Sequence, residues 1–360
     1  MSEITVTARK FTRLFDYLER VGLDAKGIGA TVNLLPERLV ELSAQHPLPA
    51  QQYSRLYKAA VVQLQTLEQP LPWAAGIGSE AFELMCHCII GAKTLGEALR
   101  LATRFDKLLF PMISYNIRLI EEPSGIVKLS YRIKIGDNNS KLVPDHWDRA
   151  GYQETVAKAS GLMAWHTFCG WLTGLPLETT EVQVSAPYLN EAYEAGMKKV
   201  FHCPIHFNAQ ENTLSFSSDQ LQRRVVHTAD SLPEFFNNLV YQLIASEQVP
   251  ASTSAAIKSL VSIDMKNGMP SFAAIAEHLH MSESSLRRRL QKESTSYQVL
   301  KDEVRCEAAI DKLLNGQTKV ADLAEYLGFT EPSSFVRSFK GWTGFTPKVY
   351  KEKMGLLGAT

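Results

Sequence analysis

The sequence predicts an α+β N-terminal domain followed by an all-α C-terminal domain with two helix-turn-helix units. Three observations carry this. Apolar residues recur at helical spacing towards both ends but alternate one by one in parts of the middle. A stretch poor in large apolar side chains, Glu247-Gln248-Val249-Pro250-Ala251-Ser252-Thr253-Ser254, separates two regimes. After it, the chain repeats itself. A length of 360 residues also exceeds what one ordinary core needs.

Taken in order, Phe11, Leu14, Phe15 and Leu18, then Tyr53, Leu56, Tyr57, Ala60 and Leu64, recur at helical spacing. A third helical run, Ala98 to Leu109, is expected to stop before Pro111. The period then becomes two. Ile113, Tyr115, Ile117 and Leu119 alternate with polar residues, Glu122-Pro123-Ser124-Gly125 reads as a turn, and Val127, Leu129, Tyr131 and Ile133 alternate again. That is a hairpin. Asp145 to Leu172 returns to helix, and strand-like pieces follow near Val182–Val184, Ile205–Phe207 and Leu214–Phe216. Leu232 to Ala245 is a helix with Pro233 in its first turn, where a missing N–H costs nothing. The expected domains are therefore 1–245, a linker over 246–256, and 257–360.

Composition narrows the class. With 38 basic and 38 acidic residues the formal charge is zero, which excludes a protein that coats nucleic acid indiscriminately. From Met265 to Met354 there are 14 Lys/Arg against 11 Asp/Glu, so a local basic face is permitted. No stretch approaches the roughly 18 consecutive apolar residues of a membrane helix. The opening MSEITVTARK lacks the apolar core of a signal peptide, and five cysteines without a dense framework suit a reducing compartment. A cytoplasmic chain without membrane association is expected.

The repeat decides the functional reading. Ile275-Ala276-Glu277-His278-Leu279-His280-Met281-Ser282 is echoed 48 residues later by Leu323-Ala324-Glu325-Tyr326-Leu327-Gly328-Phe329-Thr330. After a one-residue insertion, Leu286-Arg287-Arg288-Arg289-Leu290 is echoed by Phe335-Val336-Arg337-Ser338-Phe339. Each copy reads as a short helix, a tight turn, an N-capping hydroxyl (Ser282, Thr330) and a second helix, with Gly328 where a helix ends in a left-handed residue. That is a helix-turn-helix.

In the second helices, Leu286 and Leu290, like Phe335 and Phe339, lie four apart and face inward. Ser284, Arg287, Arg288 and Gln291 share another face, repeated by Ser333, Val336, Arg337 and Lys340. A guanidinium there can bond guanine O6 and N7 together, worth about 1–3 kcal/mol of discrimination. Arg288 and Arg337 are thus expected to read bases of double-stranded DNA, with Arg287, Arg289 and Lys340 on phosphate. A lone basic triplet is usually a solvated surface. An arginine at the equivalent site of both copies, each beside an inward apolar pair, argues against that. Between the units Tyr297 to Asn315 reads as one helix, a rod of about 28 Å. Such a rod suits two readers held roughly one DNA turn apart. Thr346-Pro347 caps a final helix.

These residues closely resemble the AraC/XylS family of bacterial transcription regulators over about Ser271 to Met354. The most specific part is Ala324-Glu325-Tyr326-Leu327-Gly328-Phe329, then Ser333-Ser334-Phe335, Arg337, Phe339-Lys340, Trp342-Thr343-Gly344 and Pro347. The resemblance implies promoter binding and transcription control, usually activation through contact with RNA polymerase. It places base-contacting sites on Ser284, Arg287 and Arg288, then on Pro332, Ser333, Val336 and Arg337. Two departures stand out: His280 and Ser294 occupy positions where the family normally has glycine. The front portion, through Leu84 to Phe110 and Phe201-His202-Cys203-Pro204-Ile205-His206-Phe207, is similar to the N-terminal domain of ornithine- and virulence-type regulators. That likeness implies a small-molecule effector and a homodimer. It does not identify the effector, and the ligand-binding residues stay unknown.

Other constellations carry less. Cys86-His87-Cys88 and His202-Cys203-His206 lack the paired spacing of a structural zinc site, so no metal is expected. Gly22 and Gly27 have P-loop spacing but are followed by Ile28 and Gly29 instead of Lys and Ser/Thr. No HExxH, GxSxG or nucleotide-type GxGxxG occurs, so neither a cofactor nor enzymatic activity is expected. Trp147, Trp165, Phe168 and Trp171 read as core, with a pocket lining as the alternative. Two further readings stay open: a ligand-independent regulator or architectural protein, and an enzyme-like front domain fused to a DNA reader.

Overall fold

The computed structural model describes residues 4–67, 79–113, 115–134, 149–233, 235–236, 240–241, 253–262, 265, 268–279, 281–315 and 319–355. The chain forms two compact units, one of Met1–Ala60 with Ile257–Thr360 and the other of Val61–Ala256. The first sixty residues, expected in the front domain, group instead with the C-terminal helices. Periodicity reveals which face of a helix is buried but not which neighbour covers it, so sequence had no handle on this grouping. Of the expected linker, 246–252 lies outside the described residues and the remainder is helical.

The chain begins with β1 (Thr5–Thr7), α1 (Ala8–Arg20), α2 (Ala25–Thr31), α3 (Pro36–Val40), β2 (Pro47–Pro49) and α4 (Ala50–Leu64). β1 and β2 pair antiparallel, which closes the three short helices into a loop between them. α1 forms because Ala8, Phe11, Leu14, Phe15 and Leu18 give it one buried face. Asp24 caps α2 by accepting the Gly27 amide at 2.8 Å, and Pro36 opens α3.

The Val61–Ala256 unit holds α5 (Glu80–Ile89), α6 (Leu95–Ile113), β3 (Tyr115–Glu121), β4 (Ile126–Ile133), α7 (Arg149–Thr173), β5 (Thr179–Gln183), α8 (Glu191–Phe201), β6 (Ile205–His206) and β7 (Thr213–Ser217). The sheet order is β3-β4-β7-β5-β6, antiparallel except for the parallel β5–β6 pair. The expected hairpin is β3–β4, turned at Gly125 with φ +80°. Ile113, expected to start the first strand, instead ends α6, which runs through Pro111. Proline near a helix C-terminus removes a single hydrogen bond, and here that does not end the helix. Tyr131 of β4 packs against α7 at Gly161, where an added Cβ would lie 2.0 Å from the tyrosine ring. Trp165, Phe168 and Trp171 of α7 are buried, and Trp171 stacks between Phe235 and His227 at ring distances of 3.8 and 4.0 Å. These three aromatic side chains are core; Trp147 lies outside the described residues.

The remaining described helices are α9 (Thr253–Ser262), α10 (Phe272–His278), α11 (Glu283–Lys292), α12 (Tyr297–Asn315), α13 (Val320–Tyr326), α14 (Pro332–Thr343) and α15 (Pro347–Gly355). They share one core that includes Ile257, Ile275, Leu286, Leu290, Leu300, Ile310, Leu323, Phe335, Phe339 and Tyr350. Together these elements form the α+β front part and helical C-terminal part that the periodicities predict. No helix among the described residues is long and apolar enough to cross a membrane.

Candidate nucleic-acid interface

The two helix-turn-helix units are α10–α11 and α13–α14. In the first, the Ser271 hydroxyl caps α10 by accepting the Ala274 amide, and the Ser282 hydroxyl caps α11 by accepting the Ser285 amide at 3.2 Å. The turn closes through Met281 N–H to the Ala276 carbonyl at 2.8 Å. The second unit repeats that bond, Phe329 N–H to the Ala324 carbonyl at 2.9 Å, around Gly328 at φ +76°. His280, the residue at the matching position of the first turn, lies outside the described residues. One expectation is corrected. Thr330 does not cap α14; the N-cap is Glu331, which makes no side-chain cap bond, and Pro332 takes the first helical position. Proline pre-sets φ for that position, so this helix starts without a capping hydroxyl.

Leu286, Leu290, Phe335 and Phe339 are all buried, as their spacing predicts. This aims the opposite faces outward. Ser284, Arg287, Arg288, Arg289 and Gln291 of α11 are exposed, and so are Pro332, Ser333, Arg337 and Lys340 of α14. Val336 alone of the expected site residues is half-buried, packed against the domain core. Arg287 lies over the Phe272 ring at 5.6 Å, which fixes its stem against α10. Among the described residues Arg288, Arg289, Arg337 and Lys340 form no ion pair, so their charge is presented to solvent.

Sequence reasoning missed the side chains that hold these readers. Lys258 of α9 pairs with Glu303 at 2.6 Å and Glu307 at 3.3 Å, both on α12. Burial pulls the Lys258 pKa down, but the two carboxylates outweigh it and hold the ammonium above its ordinary value. Arg305 of α12 donates Nε–H to the Leu327 carbonyl at 3.1 Å and lies over Phe329, gripping the second turn from both sides of Gly328. The Lys312 ammonium sits 4.0 Å over the Tyr326 ring at the end of α13. Spacing gave no signal for these, because each joins residues distant in sequence.

In the Val61–Ala256 unit two buried groups are displaced from their ordinary ionisation. Asp106 of α6 accepts the Ile117 amide of β3 through Oδ2 at 3.2 Å, while Oδ1 is buried without a hydrogen-bond partner. Burial raises its pKa to about 7 against the opposing pull of that amide. His166 of α7 bonds the Leu177 carbonyl through Nε2 at 3.0 Å, and burial lowers its pKa to about 4. The ring is therefore neutral at pH 7, with Nε2 as the donor. Trp165 Nε1 and Thr167 Oγ1 of the same helix are also buried without partners. Cys86 and Cys88 lie on α5, whereas Cys203 and His206 lie at β6; among the described residues no group of three His, Cys, Asp or Glu side chains converges on a metal position.

Two family models match this chain. The arabinose-binding domain of AraC transcription regulator, N-terminal, covers residues 22–225, and a helix-turn-helix domain covers residues 275–353. The chain belongs to the AraC family of transcription regulators. Among its AraC-family relatives, the ornithine utilization regulator of Pseudomonas aeruginosa is 26% identical over 76% of this chain and 75% of its own length. The HTH-type transcriptional regulator VqsM of the same organism is 30% identical over 40% of this chain and 45% of its own. The virulence regulon transcriptional activator VirF of Shigella flexneri is 34% identical over 21% of this chain and 29% of its own. This AraC-family chain is thus a DNA-binding regulator with an N-terminal domain of the effector-binding type.

Proposed function

We propose that this chain is a one-component switch in the cytoplasm. A small effector held by the front domain, residues 1–245, would control how residues 257–360 engage a promoter, with 246–256 as the linker. The observation that carries the reading is the matched pair Arg288 and Arg337, exposed at equivalent positions of two helix-turn-helix units whose inward faces are buried. In this reading Arg288 and Arg337 bond guanine edges in successive major-groove segments, beside Ser284 and Ser333. Arg287, Arg289, Gln291 and Lys340 flank them, with the cations on phosphate. Pro332 and Val336 offer no hydrogen bond and contact bases by shape alone, which makes the second reader less discriminating than the first.

The regulator acts as a homodimer and as an activator that contacts RNA polymerase. The likeness to an activator in the helix-turn-helix region supports the latter. The effector acts only by binding one state of the protein better than another. Footprinting upstream of the neighbouring genes locates the promoter. On that site, replacing both Arg288 and Arg337 with Ala is expected to weaken specific binding by more than about 1 kcal/mol with the fold intact. Unchanged affinity and unchanged sequence preference in a gel-shift titration sink the site assignment. In vitro transcription with and without the protein separates activation from repression.

A further inference from the structure

From Leu300 to Leu314 no residue of the bridging helix α12 is exposed. Its apolar side feeds the helix-turn-helix core, and Lys258 covers Glu303 and Glu307. The C-terminal end meets a different neighbour, from the other end of the sequence. Asn33 Nδ2 donates to the Leu314 carbonyl at 3.3 Å. Arg55 of α4, half-buried, feels the Asp311 carboxylate one turn before the helix end.

Each contact answers a specific need of a helix terminus. The last four carbonyls of a helix have no intrahelical donor, and Leu314 carries one of them. An acid near a helix C-terminus opposes the helix dipole, and the Arg55 guanidinium, on which the Asp311 charge acts through space, offsets that. The donor at position 33 is itself held firmly. Asn33 sits in the left-handed region at φ 56°, between buried Val32 and Leu34. Its own N–H bonds the Ala30 carbonyl at 3.2 Å, and Leu34 N–H bonds the Gly29 carbonyl at 2.9 Å. Gly29 is needed there, since an added Cβ would lie 2.4 Å from the Leu34 carbonyl oxygen. The side-chain amide is thus presented by a rigid turn.

We propose that Asn33 and Arg55 are positioning residues for the second DNA reader: they fix the end of α12 that leads into α13, and so set where α14 meets DNA. Asn33 and Arg55 then serve the second reader, although they lie more than two hundred residues before it. The inference rests on the two-reader function proposed above.

The test uses the full chain and two DNA probes, the footprinted promoter and the same promoter with the second reader's half-site scrambled. Asn33→Gly keeps the left-handed backbone and removes only the amide; it is combined with Arg55→Ala. On the intact promoter the double variant is expected to bind about fivefold more weakly, the worth of one hydrogen bond together with a through-space charge interaction. On the scrambled probe variant and wild type are expected to bind alike, with footprint protection fading over the second half-site only. The charge exchange Arg55→Asp with Asp311→Arg is expected to restore most of the protection that Arg55→Asp alone removes. Equal affinity on the intact promoter overturns the proposal. So does an equal loss on both probes, which marks general destabilisation. If wild type itself does not distinguish the probes, the two-reader function fails and this inference falls with it.

Discussion

Arg305 lies 5.3 Å over the ring of Phe329 and at the same time donates Nε–H to the Leu327 carbonyl, so one guanidinium spans the left-handed Gly328 between them. Lysine cannot reproduce this planar double contact. Replacing Arg305 with Ala is expected to cost about 1–2 kcal/mol, from one lost charge-assisted bond and one lost cation–π contact. Urea denaturation measures that loss. Because the contact sits on the second unit, footprint protection should weaken there while the first half-site is kept; uniform loss across both half-sites refutes the local role of Arg305.

Ser294 is where the first reader carries strain. It follows α11 at φ 55°, with its N–H on the Gln291 carbonyl and Thr295 N–H on the Leu290 carbonyl, both at 3.0 Å. The corresponding stop after α14 is Gly344 at φ +81°. A side chain in that region costs roughly 1–2 kcal/mol, and glycine gives back part of the gain as unfolded-state entropy. Ser294→Gly is therefore expected to stabilise the protein by about 0.5–1 kcal/mol, read as a higher urea midpoint with unchanged slope. A lower midpoint counts against a strained turn.

Gly161 is the opposite case, a glycine demanded by space. It lies within α7, and a methyl group there would collide with the Tyr131 ring. Tyr131 is fully buried and cannot swing away without opening the β4–α7 contact. Gly161→Ala is expected to destabilise by about 1–3 kcal/mol, the usual cost of overpacking, despite the better helix propensity of alanine. Thermal unfolding decides it. A rise in melting temperature means the sheet tolerates the shift.

What the sequence made legible follows from range. Leu286 with Leu290 and Phe335 with Phe339 are four-residue relationships, and the outward faces they leave are legible in the sequence. The β3–β4 hairpin was legible because its two alternating runs are joined by a local turn. The Thr330 cap was misread because a capping hydroxyl and an N1 proline compete for adjacent positions, and Pro332 prevailed. The Asn33 to Leu314 bond joins residues 281 apart and leaves no periodic trace. Asp106 against Ile117 is only 11 residues apart, yet it crosses from a helix to a strand edge, which no pattern of polarity announces.

That last pair sets the pH response of the front unit. The Asp106 pKa is raised to about 7, so the folded state holds its proton while the unfolded chain loses it near 3.9. Stability from this group is fully present below about pH 4 and is lost progressively until about pH 7, a change on the order of 4 kcal/mol. His166 works in the other direction. Its pKa is lowered to about 4, so its contribution is present above about pH 6.5 and lost as the pH falls towards 4. Between those limits the two slopes oppose, and the wild type should show little net dependence. Asp106→Asn keeps an oxygen for the Ile117 amide and removes the titration. The variant should be more stable than wild type at pH 8, and below about pH 6.5 it should lose stability steeply as the His166 arm is uncovered. Denaturation midpoints at about pH 4, 6.5 and 8 measure both effects. A variant less stable than wild type at pH 8 means that the fold favours the Asp106 carboxylate, so that its pKa is not raised.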